Sequence, residues 1–166
     1  MKQLLLIRHA KSDWNNAGLS DFDRPLNERG KRDAPVMAQR LRDKKINVDA
    51  FIASPAKRAA KTAKIFAEAF GQQKDDIIFI DKLYLAEPPV FFSVVADTDD
   101  RYETIAIFSH NYGLTDFANL LTDVRTDNIP TCGIFAVQAD CTSWKEFKEA
   151  PKHFLFFDYP KAGVQD

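Results

Sequence analysis

Leu4-Leu5-Leu6-Ile7-Arg8-His9 decides how the chain is read. Four aliphatic residues in a row, stopped by a guanidinium and an imidazole, describe a short strand buried on both faces, as in parallel sheets. In open α/β sheets ligands gather at the carboxyl ends of such strands. An Arg beside a His at that spot pairs a group that holds an anion with a group that attacks it. Ala10-Lys11-Ser12-Asp13-Trp14-Asn15 follows without apolar alternation. Residues 10–26, with Gly18, Asp21, Asp23 and Pro25, read as a long loop.

Outward from this strand the apolar pattern alternates between periods of two and 3.6 residues. Asn27 caps a helix carrying Ala34, Met37, Ala38, Leu41 and Ile46, with Pro35 inside it as an expected kink or break. Ala50-Phe51-Ile52-Ala53 is a second buried strand, and a helix from about Pro55 to Phe70 follows, with Gly71 as its stop. Ile77-Ile78-Phe79-Ile80 predicts a third strand. Pro88 and Pro89 open a short helix through Val90, Phe91, Val94 and Val95, and Thr104 to Phe108 is a fourth strand ending in Ser109-His110-Asn111. A further helix covers about Gly113 to Leu121. The tail changes rhythm, with extended stretches at Gly133–Gln138, Ser143–Phe147 and His153–Asp158 and no helix between them. Antiparallel pairing at one sheet edge is expected there. The last five or so residues are expected to be loosely ordered. The whole predicts a single α/β domain over residues 1–166, a three-layer α/β/α sandwich with a mainly parallel sheet and an antiparallel edge.

Composition narrows the function. A chain of 166 residues with 23 basic and 24 acidic side chains has a formal net charge of −1, which gives no footprint for nucleic acid or an anionic membrane. An anion site must then be a local cluster of cations. Cys132 and Cys141 lack metal-ligand spacing and read as reduced thiols of a cytoplasmic protein, and no stretch predicts a signal peptide or a membrane span.

Three predicted strands deliver chemistry to one edge: Arg8 and His9, then Ser54 with Arg58 one helical turn on, then Ser109 and His110. Two Arg and two His converging there suit a tetrahedral dianion better than a carboxylate, because arginine forks grip phosphate oxygens and stay charged. Taken singly, each residue has a plainer reading as a satisfied polar group or a surface charge. Recurrence at one kind of topological site outweighs that. Lys11, Lys57 and Lys61 read most simply as solvated charges, with Lys11 and Lys57 near enough the mouth to steer an anion, and His153 reads as a tail-strand residue.

These residues also carry a family resemblance. Arg8-His9-Ala10-Lys11-Ser12-Asp13-Trp14-Asn15 resembles the opening block of the histidine phosphatase superfamily, the phosphoglycerate mutase-like fold. Pro25-Leu26-Asn27-Glu28-Arg29-Gly30 resembles its L-[ST]-x-x-G segment, Ser54 through Ala63 its S-x-x-x-R-A-x-x-T-A block, and Ser109-His110-Asn111 its second-histidine block. The short chain, Ala10 in place of the usual Gly, and a tail ending in Asp158-Tyr159-Pro160 are most similar to the SixA-type phosphohistidine phosphatase branch.

The resemblance implies a nucleophilic His9 that forms a phosphohistidine intermediate, with Arg8, Arg58 and His110 completing the phosphate pocket. It implies that Asn15 contacts the phosphoryl group and makes Glu87 the candidate proton donor, although SixA-type members commonly lack an acid there. Two guanidiniums and a second imidazole need no metal or other cofactor to meet the charge on phosphorus. The expected activity is metal-independent dephosphorylation of phosphohistidine on a protein partner. A phosphatase for small phosphate esters is the alternative, and a phospho-ligand binding module without turnover ranks below both. No nucleic-acid or membrane partner is expected, and the protein is expected to be a monomer or weak dimer.

Overall fold

In the computed structural model, residues 1–162 are described, so most of the tail expected to be loosely ordered lies outside the described residues. The sequence of elements is β1 (Lys2–Arg8), α1 (Glu28–Asp43), β2 (Ala50–Ala53), α2 (Lys57–Ala69), β3 (Ile78–Phe79), α3 (Pro88–Ala96), β4 (Thr104–Ser109), α4 (Gly113–Asn119), β5 (Ile134–Ala139) and β6 (Lys152–Asp158). The strands form one six-stranded sheet in the order β3-β2-β4-β1-β5-β6. β1, β2, β3 and β4 pair in parallel, and β5 and β6 are added antiparallel at the β1 edge, as the tail's rhythm predicts. A register shift between Ala136 and Val137 bends the last pairing.

The run Leu4–Ile7 is uniformly apolar because both of its faces are covered. Leu4 and Leu6 pack into one core with Phe91 and Val94 of α3 and Leu114 and Phe117 of α4. Leu5 and Ile7 point the other way, to Met37 and Leu41 of α1 and Phe66 of α2. All four are fully buried, each contributing roughly 1.5–3 kcal/mol. This is the α/β/α sandwich, with α1 and α2 on one face and α3 and α4 on the other.

Local expectations fail in three places. Only Ile78 and Phe79 of the predicted third strand join the sheet, and both are exposed, because β3 is an edge with a neighbour on one side only. Pro35 does not split α1. Its ring faces solvent, so the carbonyl of Lys31 that loses its helical partner is on the wet side. Ser143–Phe147 is not extended but holds a 3₁₀ turn at Trp144–Glu146. The Ser143 hydroxyl accepts from the Lys145 amide, and the turn drives Trp144 into the core, where its indole N–H donates to the Tyr102 carbonyl at 2.8 Å. A side chain too large to leave in water overrides the alternation there.

For the site, register is what matters. Arg8 of β1 lies level with Ser109 of β4, and Ala53 of β2 lies level with Phe108. The carboxyl ends of the three central parallel strands therefore stop side by side. His9, Ser54 and His110 are each the first residue beyond.

Candidate active site

Arg8, His9, Arg58 and His110 line one hollow of about 230 Å³ at that edge, together with Lys11, Ser12, Trp14, Asp21, Arg24, Leu85, Asn111 and Thr131. His9, Arg58 and His110 are 6%, 2% and 2% exposed, so their partners inside the protein set their chemistry.

His9 is held by its own chain. Its Nδ1 lies 2.7 Å from the Ala10 carbonyl oxygen. A carbonyl only accepts, so Nδ1 carries the proton and Nε2 keeps its lone pair. Burial pushes the ring's pKa down to about 3, outweighing the upward pull of the Ala10 bond, and the guanidiniums of Arg58, Arg8 and Arg24 add smaller downward contributions. His9 is therefore neutral near pH 7, with a free lone pair in a cationic pocket. The Arg58 Nε–H donates to that Nε2 at 3.4 Å.

The stretch after His9 is fixed from two sides. The Ala10 amide donates to Thr62 Oγ1 at 3.0 Å, and the Thr62 hydroxyl donates to the Arg58 carbonyl at 2.8 Å, so α2 clamps the loop one turn beyond Arg58. From the other side Gly30 in the first turn of α1 abuts the Lys11 backbone. A Cβ there would sit 2.2 Å from the Lys11 oxygen. Asn27 caps α1 by accepting the Gly30 amide at 2.9 Å, while its own amide donates to the Lys11 carbonyl at 3.0 Å. Ala10 is fully buried in this clamp.

His110 meets Ser54 Oγ through Nε2 at 2.8 Å, and its Nδ1 is buried without a partner among the described residues. Ser54 Oγ also accepts the Ala56 amide at 3.2 Å. In the tautomer where the Ser54 hydroxyl donates to Nε2, Nδ1 carries the proton and is free to donate into the hollow. Burial first, then His9 and Arg58, hold His110 neutral as well, with its pKa lowered to about 3. Arg8 donates from Nη1 to the Ile129 carbonyl at 3.0 Å, while its Nε and that of Arg24 are buried without partners. Buried donors left in this condition around one cavity are what an anion would satisfy.

Asp21 and Arg24 belong to the hollow but were not singled out in the sequence. Arg58 donates from Nη2 to Asp21 Oδ2 at 2.9 Å and from Nη1 to the Asp21 carbonyl at 2.6 Å. The same Oδ2 accepts the Tyr84 hydroxyl at 2.5 Å, and Oδ1 accepts Arg24 Nη2 at 2.8 Å. Burial works to raise the Asp21 pKa, but the hydrogen bonds from Arg24, Tyr84 and Arg58 win and hold the carboxyl well below its usual range. Arg24 also donates to the Ser12 hydroxyl and stacks on Trp14 at 3.6 Å. The i, i+3 spacing of Asp21 and Arg24 was the one available signal, and it sits in a loop with no periodicity to give it a direction.

Asn15 and Glu87 do not line the hollow itself. Asn15 is exposed, its amide bonded to Asp13 Oδ1, and it does not line the hollow. Glu87 is the residue before α3 and borders an adjoining cleft that shares Leu85 and Asn111 with the hollow and is completed by Tyr112 and Asp116. Gly113 explains that position: a Cβ there would lie 1.7 Å from the Ala86 oxygen, so α4 presses on the backbone leading to Glu87. Among the described residues no three His, Cys, Asp or Glu side chains converge as a metal site, and no helix is long and apolar enough to cross a membrane. Cys132 is buried and its thiol pKa is pushed up by that burial.

Fold and hollow define an α/β protein with a histidine-and-arginine anion pocket at the carboxyl edge of its sheet. A family model described as the histidine phosphatase superfamily (branch 1) matches residues 4–83, which include Arg8, His9 and Arg58 and stop short of His110. A putative phosphohistidine phosphatase SixA from Agrobacterium tumefaciens superposes with a TM-score of 0.80 at 24% identity, over 96% of this chain and 98% of that one. An uncharacterized chloroplastic protein of Arabidopsis thaliana is 29% identical over 87% of this chain and 70% of its own length. Phosphoserine phosphatase 1 of Hydrogenobacter thermophilus is 41% identical over 49% of this chain and 40% of its own. The first half of the chain thus resembles the histidine phosphatase superfamily, and its fold is the phosphoglycerate mutase-like sandwich.

Proposed function

We propose that the protein is a phosphatase that takes phosphate from phosphohistidine on another protein through a covalent intermediate on His9. The observation that carries this is the state of the His9 ring: proton on Nδ1, lone pair on Nε2, and Arg58 Nε 3.4 Å from that lone pair.

In the first step the Nε2 lone pair forms a bond to phosphorus while the bond from phosphorus to the departing imidazole breaks. That imidazole leaves with the electron pair and takes a proton from water. Arg8, Arg58 and the Nδ1–H of His110 meet the charge on the non-bridging oxygens, where most phosphoryl-transfer catalysis lies. In the second step water attacks phosphorus, and Nε2 leaves with its electron pair restored. The result is inorganic phosphate and free enzyme.

The substrate class follows from what surrounds the hollow. Glu87 is not among the residues that line the hollow, so a leaving group that needs little acid assistance fits best. Trp14 and Leu85 on the rim are 71% and 54% exposed. The segment between β3 and β4 sends Phe91, Val94 and Val95 into the core rather than over the hollow. A phosphorylated side chain presented by a protein can reach such a site. The similarity to a phosphoserine phosphatase over about half of this chain favours phosphate monoesters as the second reading.

Turnover of a phosphohistidine protein and of a panel of metabolite phosphates, with and without chelator, separates the two. Faster hydrolysis of the protein, unaffected by chelator and lost in His9→Ala, is expected. Faster hydrolysis of a metabolite ester would reverse the assignment.

A further inference from the structure

Beside the hollow runs a second and larger cleft, about 630 Å³, that the mechanism above does not use. Its apolar floor is Phe22, Leu26, Pro55 and Phe79, with Phe22 and Phe79 37% and 41% exposed. Its walls carry Lys57, Lys61 and Lys64 from successive turns of α2, with Lys31 and Lys74, against a single acid, Asp23. Lys31 is paired with Glu28 at 3.4 Å. Among the described residues no carboxylate lies within ion-pair distance of Lys57, Lys61, Lys64 or Lys74. Four unpaired ammonium groups over an apolar floor stand out on a chain of net charge −1.

The placement also works against α2 itself. Ala56 gives the helix no side-chain cap, no acid stands in its first turn, and Lys57 is its first residue, at the positive end of the dipole. Lys57 and Lys61 form a like-charge i, i+4 pair, which costs a helix roughly 0.2–0.5 kcal/mol. Clusters that weaken their own element are expected where a ligand of opposite charge compensates. The cleft adjoins the phosphate hollow directly. Phe22 follows Asp21, Lys57 precedes Arg58, and the Lys57 amide donates to the Phe22 carbonyl at 3.0 Å.

We propose that this cleft docks an acidic, apolar-centred face of the phosphorylated protein, so that carboxylates meet the α2 lysines while an aliphatic or aromatic side chain covers Phe22 and Phe79. The inference rests on the proposed protein substrate. It adds that recognition is electrostatic and lies on α2, outside the groups that touch phosphate.

Two synthetic helical phosphohistidine peptides of about twenty residues, roughly 30 Å long, test it. One carries Glu and Leu on one face, the other Gln in place of each Glu. Hydrolysis of both, and of p-nitrophenyl phosphate, is measured across salt concentrations with wild type and the double variant Lys61→Glu, Lys64→Glu. Wild type is expected to favour the Glu peptide by at least about tenfold in kcat/KM at low salt, an advantage that fades as salt rises. The double variant is expected to lose that preference while hydrolysing p-nitrophenyl phosphate as wild type does.

Equal rates on both peptides, untouched by the double substitution, would overturn the docking cleft and leave the phosphohistidine assignment standing. Hydrolysis of p-nitrophenyl phosphate with neither peptide attacked would overturn both. Sedimentation of wild type alone is the last arm. A dimer that dissociates on charge reversal would assign the cleft to a second copy of this chain and overturn the proposal.

Discussion

Asp21 is the carboxylate that two of the hollow's guanidiniums share, and it is the residue at which holding an anion and attacking it come apart. Its bonds to Arg58 and Arg24 orient both arginines, yet its negative charge opposes any phosphate that arrives. Asp21→Asn is therefore expected to tighten inhibition by inorganic phosphate several-fold and to lower kcat by roughly tenfold, since an interaction among close charges is worth on the order of 1 kcal/mol or more. Steady-state kinetics with phosphate as competitor reads both, and a variant unchanged in both would show that Asp21 has no part in the pocket. His9 and His110 make a separate prediction. Both titrate near 3 in the folded protein, lowered first by burial, and near 6.5 when unfolded. Between those values the unfolded chain binds more protons, so stability falls as pH drops from about 6.5 towards 3. Thermal melts are expected to show Tm declining over that window, less steeply in His110→Asn. A flat Tm from pH 7 to 4 would contradict the buried neutral imidazoles. At this scale the ends of apolar runs were legible, since Arg8, His9 and His110 announce themselves by stopping a strand. Asp21 and Arg24 were not, because their direction comes from tertiary contacts across a seventeen-residue loop, 10–26, and not from any local period.

Among the elements, α1 and α2 act as a vice on the loop that follows His9, and one glycine near an end of each helix shows what that requires. Gly30→Ala would place a methyl 2.2 Å from the Lys11 carbonyl oxygen, a backbone atom that cannot rotate away. Roughly 2–4 kcal/mol of stability should be lost through this overpacking, with activity falling as the loop shifts. Gly71→Ala is the contrast. Its φ of +78° strains any other residue, but a Cβ there meets nothing within 4 Å, so about 1 kcal/mol should go and activity should stay. Denaturant midpoints and kcat on the same two variants check both, and equal effects on activity would mean that the clamp on Lys11 does not matter. Element types were readable from the sequence because periodicity reports burial. Their limits were less so: Pro35 is tolerated since its orphaned carbonyl faces water, and Trp144 converts an apparent strand into a turn because its indole fits only inside. Neither fact is local.

For the molecule as a whole, the order β3-β2-β4-β1-β5-β6 brings residues about fifty and a hundred positions apart into one hollow. The chain leaves β1 towards one edge and returns to insert β4 between β1 and β2, so His9 and His110 come to lie with ring centroids 5.3 Å apart. The sequence supplied the motif blocks and their order, and parallel pairing supplied the common edge. What no local pattern encoded was which residues remain outside. Asn15 stays in solvent on the long loop, and Glu87 is carried by the contact of α4 with the Ala86 backbone into a neighbouring cleft. The central claim is that this convergence makes His9 a nucleophile, and trapping the intermediate tests it most directly. Brief treatment of the wild type with phosphoramidate, followed by mass mapping of the quenched protein, should place one acid-labile, base-stable phosphoryl group on His9. His9→Ala should acquire none while melting as a folded protein. A phosphoryl group on another residue, or none on the wild type while it turns substrate over, would contradict the account.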